Sequence, residues 1–245
     1  MKVKTLLLIA LVALMCSCSD DVLNEGSRYS AQPIPRVTFS FDSITAPNVW
    51  AQYQSLEEML AACQIPEEKL NSMSTDELID VCMSHPLHAL YFAYNNEMVG
   101  AKVVFEHFNG FSELKKRKDA PTKMLAFYDD INFNAATPKV HREDFSKITY
   151  MGFIELYLAS KELTSLYEGE NLEKLELVSN KVLEKKLEDP SIYTVRRSLL
   201  INSQVKLAQG TLSKEETDAL KSFISVGGNV DNPQEYTRIS AIVSK

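Results

Sequence analysis

The sequence predicts an all-α protein, an irregular stack of antiparallel helical hairpins with about ten helices behind a disordered tether. Three observations carry that expectation. Glycine is scarce, 8 of 245 residues, and β-branched runs are few, which favours helix over strand. Serine followed three residues later by glutamate recurs at Ser55, Ser74 and Ser213. At that spacing the two side chains satisfy each other's orphan backbone N–H groups at a helix start. Apolar residues then return every third or fourth position from Leu87 onward, the period of a helix with one buried face.

The first residues read as an address. Lys2 and Lys4 precede an apolar run from Leu6 to Met15, too short to span a bilayer and the right length for a signal-peptide core. A small residue, Ser17, stands before Cys18, whereas Met15 stands before Cys16. Residues 1–17 are therefore expected to be a lipoprotein signal peptide, with Cys18 the lipidated residue. Several acyl chains on one cysteine anchor stably where a single chain would not. An ordinary secretory signal is the alternative. Ser19-Asp20-Asp21 resembles the export tag of surface lipoproteins in the Bacteroidota, although an aspartate there marks inner-membrane retention in other bacteria. The expected location is the outer membrane or cell surface, with the membrane reached through the lipid. Loss of residues 1–17 moves the net charge from −7 to −9. Nucleic acid is excluded as a partner, since phosphate binding needs a basic surface.

Residues 18–50 read as the lipidated cysteine, a tether and an extended arm. Pro33, Pro35 and Pro47 punctuate it, and Val37-Thr38-Phe39-Ser40-Phe41 alternates at strand period without a partner strand. Residues 51–245 read as a single helical domain. Pro66, Pro121, Pro190 and Pro233 suit first helical turns, and Asp189 and Asn232 suit the N-caps of two of them. Leu87, Leu90, Tyr91 and Tyr94 share one helical face, and Met98, Ala101, Phe105 and Phe108 share another. A corner is expected at His85-Pro86 and a helix stop at Asn109-Gly110. Long helices follow near 144–167, 171–187, 191–209 and 213–226, with short loops that make neighbours antiparallel. The first is apolar nearly all round at Phe153-Ile154-Glu155-Leu156-Tyr157-Leu158, the mark of a buried helix. The second has one stripe, Leu172, Leu175, Val178 and Val182, among charges that include Lys181, Lys185 and Lys186, so it should cover the body from outside. No tetratricopeptide or ankyrin consensus repeats.

Few residues suggest chemistry, and no catalytic residue is assigned. His85 and His88 have metal-ligand spacing, but Pro86 breaks the helix that would align them and no third ligand stands near. Asp130-Ile131-Asn132-Phe133-Asn134 alternates oxygens like a calcium loop, yet its sixth position is Ala135 and its twelfth His141. Ser112 to Lys115 and Ser203 to Lys206 have a serine–lysine spacing without the companion motifs. No metal or other cofactor is expected. Lys115, Lys116, Arg117 and Lys118 form the basic cluster of an acidic chain, either a solvated helix end or a docking patch for an acidic partner. Cys63 and Cys82 sit in apolar helical stretches and are expected to pack as small hydrophobes, with a disulfide as the alternative.

Cys82 to Pro86 (Cys-x-x-x-Pro), Asn95-Asn96, Phe108-Asn109-Gly110 and the Lys-Arg-Lys-Asp-Ala run ending at Ala120 resemble a group of uncharacterised Bacteroidota surface and secreted lipoproteins. The resemblance implies anchoring and helical content and carries over no functional residue. The expected function is that of an envelope-anchored, non-enzymatic binding or scaffolding module with an envelope protein or glycan as partner. The alternative is a hydrolase, glycan-acting for example, with scattered carboxylates in a helical cleft.

Overall fold

The structure is a computed structural model that describes residues 39–129, 142–188 and 194–245. The expected leader, Cys18, the tether through residue 38, the Asp130–Asn134 loop and the Pro190 helix start lie outside them. Among the described residues there are fifteen helical segments, nine of them seven residues or longer, and no strand. The fold is all-α.

The chain enters at Phe39 and Phe41, both buried with their rings edge to face at 5.1 Å. Two single turns follow, α1 (Asp42–Thr45) and α2 (Pro47–Trp50), and then α3 (Leu56–Ala62), α4 (Glu67–Ser72) and α5 (Thr75–Met83). Ser74 and Glu77 form the full reciprocal cap of α5. At α3 the reciprocity is broken: Ser55 Oγ accepts from Glu58 N, but Glu58 reaches back to Gln54 N instead. Pro86 has the expected effect. Past it the chain tightens into a 3-10 helix, His88–Ala93, before α6 (Glu97–His107), α7 (Asn109–Leu114) and α8 (Ala120–Asp129). A helix does stop ahead of Asn109, but not through a left-handed glycine. Gly110 lies inside α7, where a Cβ would come within 2.4 Å of the Phe108 ring and 3.0 Å of Cys82 Sγ. It is there for close approach.

The second half holds α9 (Arg142–Leu158), α10 (Lys161–Thr164), α11 (Glu170–Glu188), α12 (Arg196–Gln209), α13 (Lys214–Ser225) and α14 (Pro233–Val243). The helix expected over 144–167 is split. Ser160 takes extended backbone angles and accepts from Leu163 N as a fresh N-cap, and the Thr164 hydroxyl donates to the Leu158 carbonyl at the end of α9 and to the Ser160 carbonyl. Ser213 with Glu216, and Asn232 ahead of Pro233, cap α13 and α14 as predicted. Helix α12 is the hub, packing against α9, α11, α13 and α14. The 3-10 helix and α6 close over α9.

One aromatic cluster joins the two halves. Phe105 of α6 stands 5.0 Å from Phe111, 5.1 Å from Phe153 and 5.0 Å from Tyr157, ring centre to ring centre. Cys63 and Cys82 are buried thiols that no disulfide joins, and burial pushes the Cys82 thiol well above its ordinary range. Phe105→Ala should remove the keystone of this cluster and cost ~3–5 kcal/mol. Urea unfolding of both proteins checks it, and matching midpoints would remove Phe105 from the core.

Candidate functional site

Two places draw chemistry together, one sealed and one open. The sealed place is centred on Glu155. It sits in the apolar run of α9, where an acid has no water to solvate it and needs partners. Its Oε1 accepts from Tyr128 Oη at 2.8 Å, Ser198 Oγ at 3.0 Å and Lys186 Nζ at 2.6 Å. Its Oε2 accepts from Lys186 Nζ at 2.6 Å. Lys186 also donates to the Thr194 carbonyl at 3.1 Å. Glu155, Lys186 and Ser198 are wholly shielded from solvent, as is Tyr128. Every partner of the carboxyl is a donor, the pattern of an ionised acid. Burial pulls the Lys186 ammonium down from its ordinary value against the opposing pull of Glu155. Burial and the Glu155 charge push the Tyr128 phenol well up.

A second charged group lies alongside. Glu97, at the first turn of α6, takes a two-pronged contact from Arg197, Nε at 2.9 Å and Nη2 at 3.0 Å, and a third from Arg196 Nη2 at 2.6 Å. Burial works to raise the Glu97 carboxyl, but the two guanidiniums outweigh it and hold it below its ordinary value. Arg197 lies over the Tyr91 ring at 5.0 Å, a cation–π contact, and Tyr91 donates to the Thr149 carbonyl. Gly152 makes the room: a Cβ there would fall 2.4 Å from Tyr91 Oη and 2.7 Å from Arg197 Nη1.

The open place is a surface groove of about 490 Å³ between α3 and α6. Leu56, Leu60 and Ala61 line one side and Val103 the other, with Glu57, Gln64, Tyr94 and His107 at the margins. Tyr94 is seated on α6 at Gly100, where a Cβ would meet its ring at 2.6 Å. The far end is clamped. Gln64 donates to the His107 carbonyl and accepts from Asn109 N, while Asn109 exchanges two hydrogen bonds with the Ile65 backbone, at 3.0 and 2.8 Å.

The residues singled out in the sequence scatter. Arg117 of the basic cluster turns inward, donating to the Met73 and Leu70 carbonyls at 2.6 and 3.1 Å. It thereby satisfies the open C-terminal end of α4, leaving Lys116 and Lys118 exposed and Lys115 half-buried. His85 is buried between the Phe41 and Phe108 rings and accepts from Leu87 N through Nδ1. His88 bonds the His85 carbonyl. Ser203 donates to the Leu199 carbonyl and Lys206 pairs with Glu176. Asp80 is a carboxyl displaced upward, by partial burial and by Asp76 and Glu77, but Asp76 is paired with Lys123 and Glu77 with its cap. No group of three or more possible metal ligands occurs among the described residues, and no helix among them is long and apolar enough to cross a membrane. No known protein family, no curated protein and no solved structure matches the chain.

Glu155 and Lys186 escaped the sequence reading, though each left a signal. Glu155 is the lone acid in an apolar run, and Lys186 falls four residues past Val182 on the buried stripe. Lys186→Met should cost ~3–5 kcal/mol, because it leaves a buried carboxylate without its cation. The double change Glu155→Leu with Lys186→Met should lose less than the two singles added together. Denaturant melts of the four proteins read this, and strict additivity would break the pair into independent parts.

His85 gives a pH signature. Burial, with His88 beside it, lowers its pKa from 6.5 to about 3. The unfolded chain then binds a proton that the folded chain refuses. That contribution to stability is whole above the unfolded pKa and drains away as pH falls toward 3, at about 1.4 kcal/mol per pH unit. His85→Asn keeps an acceptor for Leu87 N and cannot titrate. Its stability should fall less steeply than wild type between pH 6 and 4, by about that slope; parallel curves would show a histidine that titrates normally.

Proposed function

We propose that this chain is a lipid-anchored, non-enzymatic binding or scaffolding module of the outer membrane or cell surface, of the kind its Bacteroidota-like motifs suggest. Its partner is an envelope protein or glycan. The observation that supports this most directly is the division of chemistry just described. One group of ionisable side chains, Glu155 with Lys186 and Tyr128, is wholly shielded from solvent, and its hydrogen bonds are spent within the fold. A preformed groove of about 490 Å³ lies instead at the surface, within the range of ligand-binding clefts, ~300–1,000 Å³. The anchor is argued from the sequence, from Lys2, Lys4 and the apolar run Leu6 to Met15 ahead of Ser17 and Cys18. A glycan-acting hydrolase with scattered carboxylates in a helical cleft is the rival.

The test is a pull-down of the lipidated protein from its own envelope, with partners and the mature N-terminal peptide identified by mass. The expected result is a mature chain beginning at an acylated Cys18 and a recurrent partner captured without turnover. A different N-terminus sinks the anchor, and cleavage of envelope glycan by the purified protein sinks the non-enzymatic reading. A parallel capture with Lys115, Lys116 and Lys118 reversed to glutamate asks whether the basic cluster does the holding. Its melting should stay close to wild type, since Lys116 and Lys118 are exposed, Lys115 is half-buried, and charges at the surface contribute little.

A further inference from the structure

The first described segment, residues 39–53, is held to the body by side chains rather than by hydrogen bonds. Its two single turns, α1 and α2, are far too short to persist alone in water. Among the described residues, no hydrogen bond runs from this segment to any helix from α3 onward. Its backbone and side-chain bonds close locally, as from Thr45 to the Phe41 carbonyl and from Gln52 to the Asn48 carbonyl. Buried rings make the attachment. Phe39, Phe41 and Trp50 are buried, with Ile44 and Tyr53 partly buried beside them. Lys69 of α4 lies over the Phe39 ring at 5.9 Å. Phe41 stands edge to face on His85 at 5.4 Å and 6.0 Å from Phe108. Trp50 stands against Tyr53 at 5.7 Å.

Such an attachment is separable. A segment whose hydrogen bonds are its own can leave without breaking one of the body's, and an opening of that kind lies below global unfolding in free energy. Two buried polar atoms favour departure. The Trp50 indole Nε1 and His85 Nε2 have no hydrogen-bond partner among the described residues. Water reaches the first as Trp50 leaves and the second as Phe41 uncovers the His85 ring. The body meanwhile keeps its own centre, since the cluster of Phe105, Phe111, Phe153 and Tyr157 includes no residue of the segment. We propose that residues 39–53 are a strap that peels from the body as one unit, ahead of the body's own unfolding, and uncovers a slot floored by His85 and Phe108. A pull or a partner acting on the chain ahead of Phe39 reaches the strap first. The strap is thus a latch between that chain and the helical body, and it works whatever the body binds.

Trp50 is the chain's one tryptophan and reports the strap directly. In urea, the emission of the mature chain carrying Cys18→Ser should move to that of a solvated indole before the helical ellipticity falls. Hydrogen exchange read by peptide mass should be faster in residues 39–53 than in α12 by about tenfold or more. Phe41→Ala should bring the Trp50 transition to lower urea and leave the helical midpoint in place. Trp50→Ala tests whether the strap moves as a unit, because the Trp50 ring meets Tyr53 and not His85. It should speed the carbethoxylation of His85 by diethyl pyrocarbonate about tenfold, since loosening one end lifts Phe41 at the other. Coincident emission and helix transitions in the parent chain overturn the proposal, as does a helical midpoint that falls with either variant. A Trp50→Ala protein whose His85 reacts at the parent rate overturns it too, because the two ends then come away separately.

Discussion

The ion pair of Glu155 and Lys186 is the constraint around which the second half of the molecule is arranged. A carboxylate in a dry helix interior tolerates few arrangements, because each lone pair left open costs about 1–3 kcal/mol or more. Here one carboxyl gathers donors from three other helices: Tyr128 of α8, Lys186 of α11 and Ser198 of α12. Sliding any of these helices by one residue would rotate its donor away by about 100° and strand the charge. Apolar contacts are more forgiving, since a leucine moved by a turn still finds other apolar surface. Lys186 adds a further restraint by holding the Thr194 carbonyl just ahead of α12, so α11 and α12 are fixed at the ends where the chain crosses between them.

The same logic continues through Glu97. Arg196 and Arg197 reach it from α12, and it lies at the start of α6. The corner beside it is latched again. Asn96 caps α6 through Met98 N and reaches the Ser225 carbonyl, and Asn229 donates to the Asn95 carbonyl. Gly227 follows α13 with a φ of 63°, in the left-handed region that suits glycine, and a Cβ there would collide with the Asn96 side chain. The Asn95-Asn96 pair is thus a joint between chain segments more than a hundred residues apart.

Local signals were legible in the sequence and pairings were not. The capped starts at Ser74 and Ser213, the corner at Pro86 and the outer stripe of α11 follow from spacing alone, since their causes lie within a few residues. The split at Ser160 has no spacing signal, because a serine at the end of an apolar run and followed by Lys161 and Glu162 looks like continuing helix until its backbone is seen to leave the helical region. Gly110 was misread for a different reason. It precedes no left-handed turn but lies against Cys82, which is nearly thirty residues back. The basic cluster reads as one solvated face, yet Arg117 alone turns in to cap α4, a helix that ends 45 residues earlier. The groove had no signal at all, because its two walls are separated by α4, α5 and the 3-10 helix.

The sealed centre and the groove are connected through α6. The inner face of that helix carries Ala101, Val104 and Phe105 in the core, and its outer face carries Val99 and Val103. Its first turn is pinned by two arginines at Glu97, and the chain leaving its last turn is pinned by the Gln64–Asn109 clamp. The wall is thus tied to the rest of the fold at both ends. An apolar core of similar volume could be as stable or more so, but it would lack the directional contacts by which Arg196 and Arg197 tie the first turn of α6 to α12 through Glu97.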